Sequence, residues 1–164
     1  DAALRLLKLY VDMKEGGVAF DQGVMHMVSD GVYATARLLN AQYPNYASII
    51  PQNTSRRCII GKNSMLTALR RVLLINTKSP MIDFSFSPHS VTLELSSEAG
   101  RAKEAVSCET SAPEQMCLNG KFLADSLTHM DSESVLLELR GEAAPLIIKE
   151  GGYINVVMPI AKGS

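Results

Sequence analysis

Three histidines, three cysteines and a scatter of carboxylates are the side chains through which this chain could do acid–base, nucleophilic or metal chemistry. Imidazole titrates near neutral pH, so His26, His89 and His129 are the first candidates for a general base or a ligand. Their placement argues against both roles. His26 falls in a strand-like run, His89 in a turn after Pro88 and His129 at a helix end, and none has the spacing of a metal site or of a nucleophile's partner. Cys58, Cys108 and Cys117 are odd in number and form no CxxC, which supports neither a disulfide framework nor a zinc ribbon. Each sits in an apolar, strand-like context and reads as a buried thiol. Asp131 and Glu133 read as a helix-to-strand connector rather than as an acid and its base. No dinucleotide, P-loop, nucleophile-elbow or zincin motif is present. The chain is therefore expected to be no enzyme and to hold no cofactor or metal. The competing readings are a peptide-binding or structural module, which requires only a groove, and behind it a small hydrolase using His129 or His26, which requires a pocket that brings imidazole and a carboxylate together.

Charge is more informative in its distribution than in its sum. Sixteen basic and seventeen acidic residues leave a formal net charge of −1. Between Asp30 and Asp83, however, there is no acid, while Arg37, Arg56, Arg57, Lys62, Arg70, Arg71 and Lys78 all fall in that window. A protein with one basic face and an acidic exterior has this pattern, because the whole-chain sum averages away the local field that a polyanion meets. The apolar runs are too short to span a bilayer, and the first residues lack the layout of a signal peptide, so a cytoplasmic protein is expected.

The elements that must position these groups repeat. An amphipathic helix followed by three short strands can be read three times, the first copy lacking an opening strand. Leu4, Leu7 and Val11 mark a helix over Ala2 to Tyr10, and strands follow at Val18 to Phe20, Val24 to Val28 and Val32 to Leu39. The second unit opens with a strand at Arg57 to Ile60. Its helix has Asn63 or Ser64 as N-cap and Met65, Leu66, Leu69, Val72 and Leu73 inward, and strands follow at Ile82 to Phe86, Val91 to Leu95 and about Ala102 to Cys108. The third has a strand at Gln115 to Leu118, an Asn119 cap and a helix through Met130 with Phe122, Leu123, Ser126, Leu127 and Met130 inward. Strands at Val135 to Leu139, Leu146 to Lys149 and Tyr153 to Met158 close it. The glycines between elements, Gly120 among them, read as turn residues. The fold class is α+β, with antiparallel sheet on one layer and helices on the other.

Two proline-marked segments are less generic. Tyr43-Pro44-Asn45-Tyr46 with Ile49-Ile50-Pro51, and Val156-Val157-Met158-Pro159-Ile160, resemble the beta sliding clamp of bacterial DNA polymerase III. Leu69-Arg70-Arg71-Val72 through Lys78, and Leu118-Asn119-Gly120-Lys121-Phe122-Leu123, resemble the helices of its last domain. The resemblance covers essentially the whole chain. It divides it into residues 1–55, the C-terminal half of the clamp's middle domain, and residues 56–164, its complete C-terminal domain.

The resemblance implies the DNA-clamp fold, with helices on the inner face of a ring around double-stranded DNA and sheets outside. It also implies roles for single residues. Arg5, Lys8, Lys62, Arg70, Arg71 and Lys121 would face the DNA. Pro44, Ser48, Ile49, Asn119, Phe122, Val156, Met158, Pro159 and Ile160 would line a groove for short peptides of the polymerase III catalytic subunit and the clamp loader. Leu73 and Leu74 would belong to the subunit contact of a homodimeric ring. Three departures stand out: Ser48 and Ala161 replace residues that are commonly Arg, Arg101 and Lys103 interrupt an acid-rich stretch of the subunit contact, and one and a half domains have no counterpart. A fragment that does not close a ring alone is therefore expected.

Overall fold

The computed structural model describes residues 16–29, 31–43, 45–48, 50, 56–75 and 80–161. The expected first helix, with Arg5 and Lys8, lies outside them, as do Pro44 and Ile49. Contacts divide the chain into two compact units, Asp1–Asn45 and Tyr46–Ser164.

In the first unit, β1 (Gly17–Asp21), β2 (Val24–Ser29) and β3 (Val32–Arg37) form an antiparallel meander in that order. The two-residue loop between β1 and β2 places Gln22 at φ 46° and Gly23 at φ 77°. This double left-handed turn matches the twist of the strands it joins, and glycine removes half of its steric cost.

The second unit contains β4 (Arg56–Gly61), α1 (Lys62–Leu73), β5 (Met81–Ser87), β6 (Ser90–Ser97) and β7 (Gly100–Thr110). The plan then repeats as β8 (Glu114–Asn119), α2 (Gly120–Thr128), β9 (Ser134–Leu139), β10 (Leu146–Glu150) and β11 (Tyr153–Val157). The two repeats exchange their opening strands within one antiparallel sheet of order β11-β10-β9-β4-β7-β6-β5-β8. Thus β4 pairs along its length with β9 of the other repeat, and β8 with β5. β4 also pairs with β7 over Cys58 to Ile60. On the opposite side, the Ile160 N–H donates to the Cys117 carbonyl at 2.8 Å and ties the end of the chain to β8. Arg56 and Glu114, the first residues of the two exchanged strands, form an ion pair in which the Glu114 side chain is buried.

Alternation along the strands builds the core. Ile82, Phe84 and Phe86 of β5 and Val91, Leu93 and Leu95 of β6 are buried against Met65, Leu66, Leu69 and Val72 of α1 and Leu123 and Leu127 of α2. The helices run antiparallel beside one another. The Lys62 ammonium at the start of α1 donates to the Met130 carbonyl just past α2 at 2.7 Å, while Leu73 at the end of α1 packs near Gly120 at the start of α2. Gly120 is the first residue of a helix and not the turn residue expected. A Cβ there would run into the Ile82 side chain, so glycine lets α2 lie close on β5. Among the described residues no helix is long and apolar enough to cross a membrane.

Several boundaries differ from expectation for local reasons. α1 starts at Lys62 with Gly61 as its N-cap, not Asn63 or Ser64. The Lys62 N–H donates to the Glu133 carbonyl at 2.8 Å, so backbone from the loop before β9 satisfies a first-turn donor without a capping side chain. Asn119 does cap α2, its Oδ1 accepting from the backbone N–H of Lys121 and Phe122 at 3.0 and 3.3 Å. α2 ends at Thr128 with His129 as its C-cap, and Met130 is buried just beyond the helix. Phe122, expected inward, is 62% exposed. β11 stops at Val157, one residue short of the expected end, because Pro159 has no N–H for a ladder.

Candidate functional site

The exposed face of α2 and the end of β11 make a cleft. Chain leaving β11 is fastened by the Ile160–Cys117 hydrogen bond, which sets Met158, Pro159 and Ile160 opposite the outward residues of α2. The cleft is about 660 Å³ and is lined by Asn119, Phe122, Asp125, Ser126 and His129 of the helix side and by Tyr153 and residues 155–160 of the strand side. Phe122 and Met158 are both more than half exposed there. Large apolar side chains held open around a concavity are a feature of binding surfaces rather than of a closed core.

Of the nine residues assigned to a groove, Asn119, Phe122, Val156, Met158, Pro159 and Ile160 all line this cleft. Ser48 lies in a 3-10 turn, Tyr46–Ser48, and does not line it. Asp125 and His129 line it without having been assigned to a groove, His129 having been weighed only as a base or ligand, and so do Tyr153 and Asn155. The signal for the first two was available: Phe122, Asp125, Ser126 and His129 follow the one-face spacing of a helix. Reading that stripe as core hid it. Ser126 turns back on its own helix, its Oγ donating to the Phe122 carbonyl at 2.7 Å. His129 does likewise through Nδ1, which donates to the Asp125 carbonyl at 2.7 Å.

The described cations assigned to the DNA-facing set, Lys62, Arg70, Arg71 and Lys121, divide between two places. Arg70 and Arg71 occupy the last turn of α1, where positive charge also complements the helix dipole. Lys121 is in the first turn of α2, and the antiparallel helix pair brings it to the same end. Lys62 is at the other end, half-buried, with its ammonium on the Met130 carbonyl. Arg71 stands 3.5 Å from Glu104, an exposed pair that adds little stability. At the residues assigned to a subunit contact, Leu73 is half-buried beside Gly120 and Leu74 is exposed. Nearby, Arg101 pairs with Glu94 at 2.5 Å, and Lys103 stands opposite Glu94 in the register of β6 and β7.

His129 lines the cleft with Asp125, the pairing a hydrolase would need, but its Nδ1 is committed to the Asp125 backbone carbonyl and not to the carboxylate. His26 Nδ1 is 2.6 Å from the Tyr33 hydroxyl on the neighbouring strand. Cys58, Cys108 and Cys117 are all buried, and burial pushes the Cys58 thiol up to about 12, well away from a reactive thiolate. Among the described residues no group of three or more His, Cys, Asp or Glu could hold a metal ion. Glu150 has a structural role. A hydrogen bond from the Ser132 side chain, then those from the Asp131 and Ser132 backbone N–H groups, hold its carboxyl below the usual range.

The comparisons with known proteins agree in direction. The beta sliding clamp of Synechococcus elongatus is 29% identical over 148 residues, covering 85% of this chain and 40% of that protein. The beta sliding clamp of Treponema pallidum is 29% identical over 133 residues, covering 75% and 36%. Among solved structures, the DNA polymerase III beta subunit of Thermotoga maritima matches with a TM-score of 0.80 at 21% identity, covering 98% of this chain and 46% of that one. The DnaN sliding clamp of Bartonella birtlesii, in a crystal with griselimycin bound, matches at 0.84 and 20%, with the same coverage. The chain thus spans less than half the length of these relatives, and the solved structures share its fold. The family described as DNA polymerase III beta subunit, C-terminal domain, matches residues 47–161, from the turn before β4 to the segment after β11, and the chain belongs to that family.

Proposed function

We propose that the protein serves DNA replication as a non-catalytic sliding-clamp module, holding partner proteins by short peptides in the α2–β11 cleft while its helix layer meets duplex DNA. The observation that carries this reading is the cleft: six residues assigned to a peptide groove line one apolar concavity. Leucine and phenylalanine anchors from a polymerase or clamp-loader peptide would bury themselves against Phe122, Val156, Met158 and Ile160. An unbranched, polarizable methionine beside a rigid proline suits anchors of varied shape. The grouping of Arg70, Arg71 and Lys121 at one end of the helix pair supports contact with phosphates. Such contact is sequence-independent and weak enough to let a ring move. Arg5, Lys8 and Lys62 would face the DNA as well, while Leu73 and Leu74 would join the apolar part of a subunit contact in a homodimeric ring. Closing that ring calls for the remaining domains of the relatives, since a head-to-tail contact needs two different faces.

Titrating the chain with a fluorescent peptide carrying Leu and Phe anchors tests the groove. The double variant Met158→Ala/Ile160→Ala should weaken binding by about 1 to 3 kcal/mol, and unchanged affinity would remove these residues from the site. Charge reversal at Arg70 and Arg71 tests the DNA-facing layer. Duplex binding at low salt should fall equally for unrelated sequences and lose part of its salt dependence. Duplex binding unaffected by the reversal would remove Arg70 and Arg71 from the DNA-facing layer, and no duplex binding at low salt while peptide binding persists would favour a peptide-binding module with no DNA role.

A further inference from the structure

The cleft has two chemically different ends. Phe122, Val156, Met158, Pro159 and Ile160 form an apolar floor, and Asp125, His129, Tyr153 and Asn155 add a polar group of residues to the same wall. The lining contains one full carboxylate and no Lys or Arg. Among the described residues the Asp125 carboxylate has no hydrogen bond or ion pair; it is the Asp125 backbone carbonyl that His129 engages. A carbonyl oxygen can only accept, so His129 donates to it through Nδ1. Asn155 Nδ2 donates to the Tyr153 hydroxyl at 3.4 Å, a long bond that commits little of either group. The polar end therefore offers a negative charge and acceptor atoms to whatever lies on the floor beside it.

We infer that the cleft selects peptides carrying a lysine or arginine next to their apolar anchors and discriminates against an acidic residue at that place. The inference rests on the peptide-groove reading and adds the charge of the partner to it. Charge complementarity with Asp125 gives the direction. A basic side chain gains an ion pair in a partly screened site, whereas an acidic one meets a like charge, since Lys121, one turn earlier on α2, is exposed and lies outside the lining.

The test uses the full chain and three peptides that share Leu and Phe anchors and differ at one flanking position, which is Lys, Ala or Glu. At low salt the Lys peptide should bind about fivefold more tightly than the Glu peptide. That ratio should shrink toward one as salt rises, should approach one in Asp125→Asn, and should invert in Asp125→Lys. Because each variant is read as a ratio between peptides, a general loss of affinity or stability does not imitate the result. If the Ala peptide binds but the Lys and Glu peptides bind equally, or if the ratio survives Asp125→Asn, this inference is overturned and the groove reading stands. If none of the peptides binds, both fall.

Discussion

Leu123→Ala is expected to lower the unfolding free energy by about 3 to 4 kcal/mol, read as a fall in the urea midpoint with little change in slope. Leu123 has no exposed surface, and it lies in the core between α2 and the sheet with Phe84, Leu93 and Leu118. Truncation removes the transfer free energy of the side chain and leaves a cavity in a layer that cannot collapse freely. α2 is already pressed against β5 where Gly120 meets Ile82. The effect should reach the cleft as well. Leu123 and Leu127 seat the helix whose outer face carries Phe122, Asp125 and His129, so loosening the inner stripe should also weaken peptide binding. Phe122→Ala provides the contrast. With Phe122 62% exposed, its loss should reduce peptide affinity while leaving the urea midpoint nearly unchanged. Equal stability of Leu123→Ala and the parent chain would contradict this packing.

Lys149→Met should cost about 3 kcal/mol, for an electrostatic reason. Glu138 on β9 is 4% exposed, and its carboxylate is held by Lys149 on the adjacent β10. The ammonium stands 2.9 Å from Oε2 but donates with better geometry to Oε1, at 3.1 Å. Removing the cation leaves a buried charge without its partner, and desolvation is then uncompensated. The Lys149 side chain is itself 35% exposed and partly screened by water, which puts the expected cost at the lower end for a buried pair. The double variant Lys149→Met/Glu138→Leu separates the explanations. If the cost is that of an orphaned carboxylate, removing it as well should recover most of the lost stability. A double variant as unstable as Lys149→Met would mean that the lysine stem, and not its charge, was what mattered.

Arg56 and Glu114 show a related device at the exchanged strands. Each is the first residue of its repeat, and their pairing fastens β4 and β8 to one another across the unit. From sequence, Arg56 belonged to a basic window and Glu114 to the acids beyond it. Nothing local indicated that a residue near one end of the basic run would neutralise a buried carboxylate. A charge tally therefore overstates the cations left for a polyanion, since Arg56 and Lys62 are engaged within the fold.

Much of the candidate site was legible, and the errors share a cause. Asn119 was recognisable as a cap because capping is a contact between neighbours in sequence, and the structure keeps it. Met158, Pro159 and Ile160 were assigned to a groove through the resemblance that their proline-marked segment carries, and not through periodicity. Phe122 was misassigned because a helix stripe read from spacing alone is wide enough to include one residue too many. Only the sheet beneath decides where the buried arc ends. Asp125 escaped notice for the same reason, as it continues the exposed arc that Phe122 begins, and His129 was weighed for chemistry rather than as part of that arc.

By itself the sequence determined the order of strands and helices, the alternating burial of β5 and β6, the inward stripe of α1 and the repeat of one unit along the chain. All of these result from periodicities of two and 3.6 residues and from turn and cap chemistry, which act over a few neighbours. The tertiary structure alone decided that the repeats trade their opening strands, that α1 and α2 lie antiparallel with Arg70, Arg71 and Lys121 at one end, and that the chain after β11 returns to β8 to wall the cleft. Those outcomes depend on which distant backbone groups satisfy one another. A strand's own residues set its two faces, but its neighbours are chosen only when every N–H and C=O of the sheet must find a partner at once.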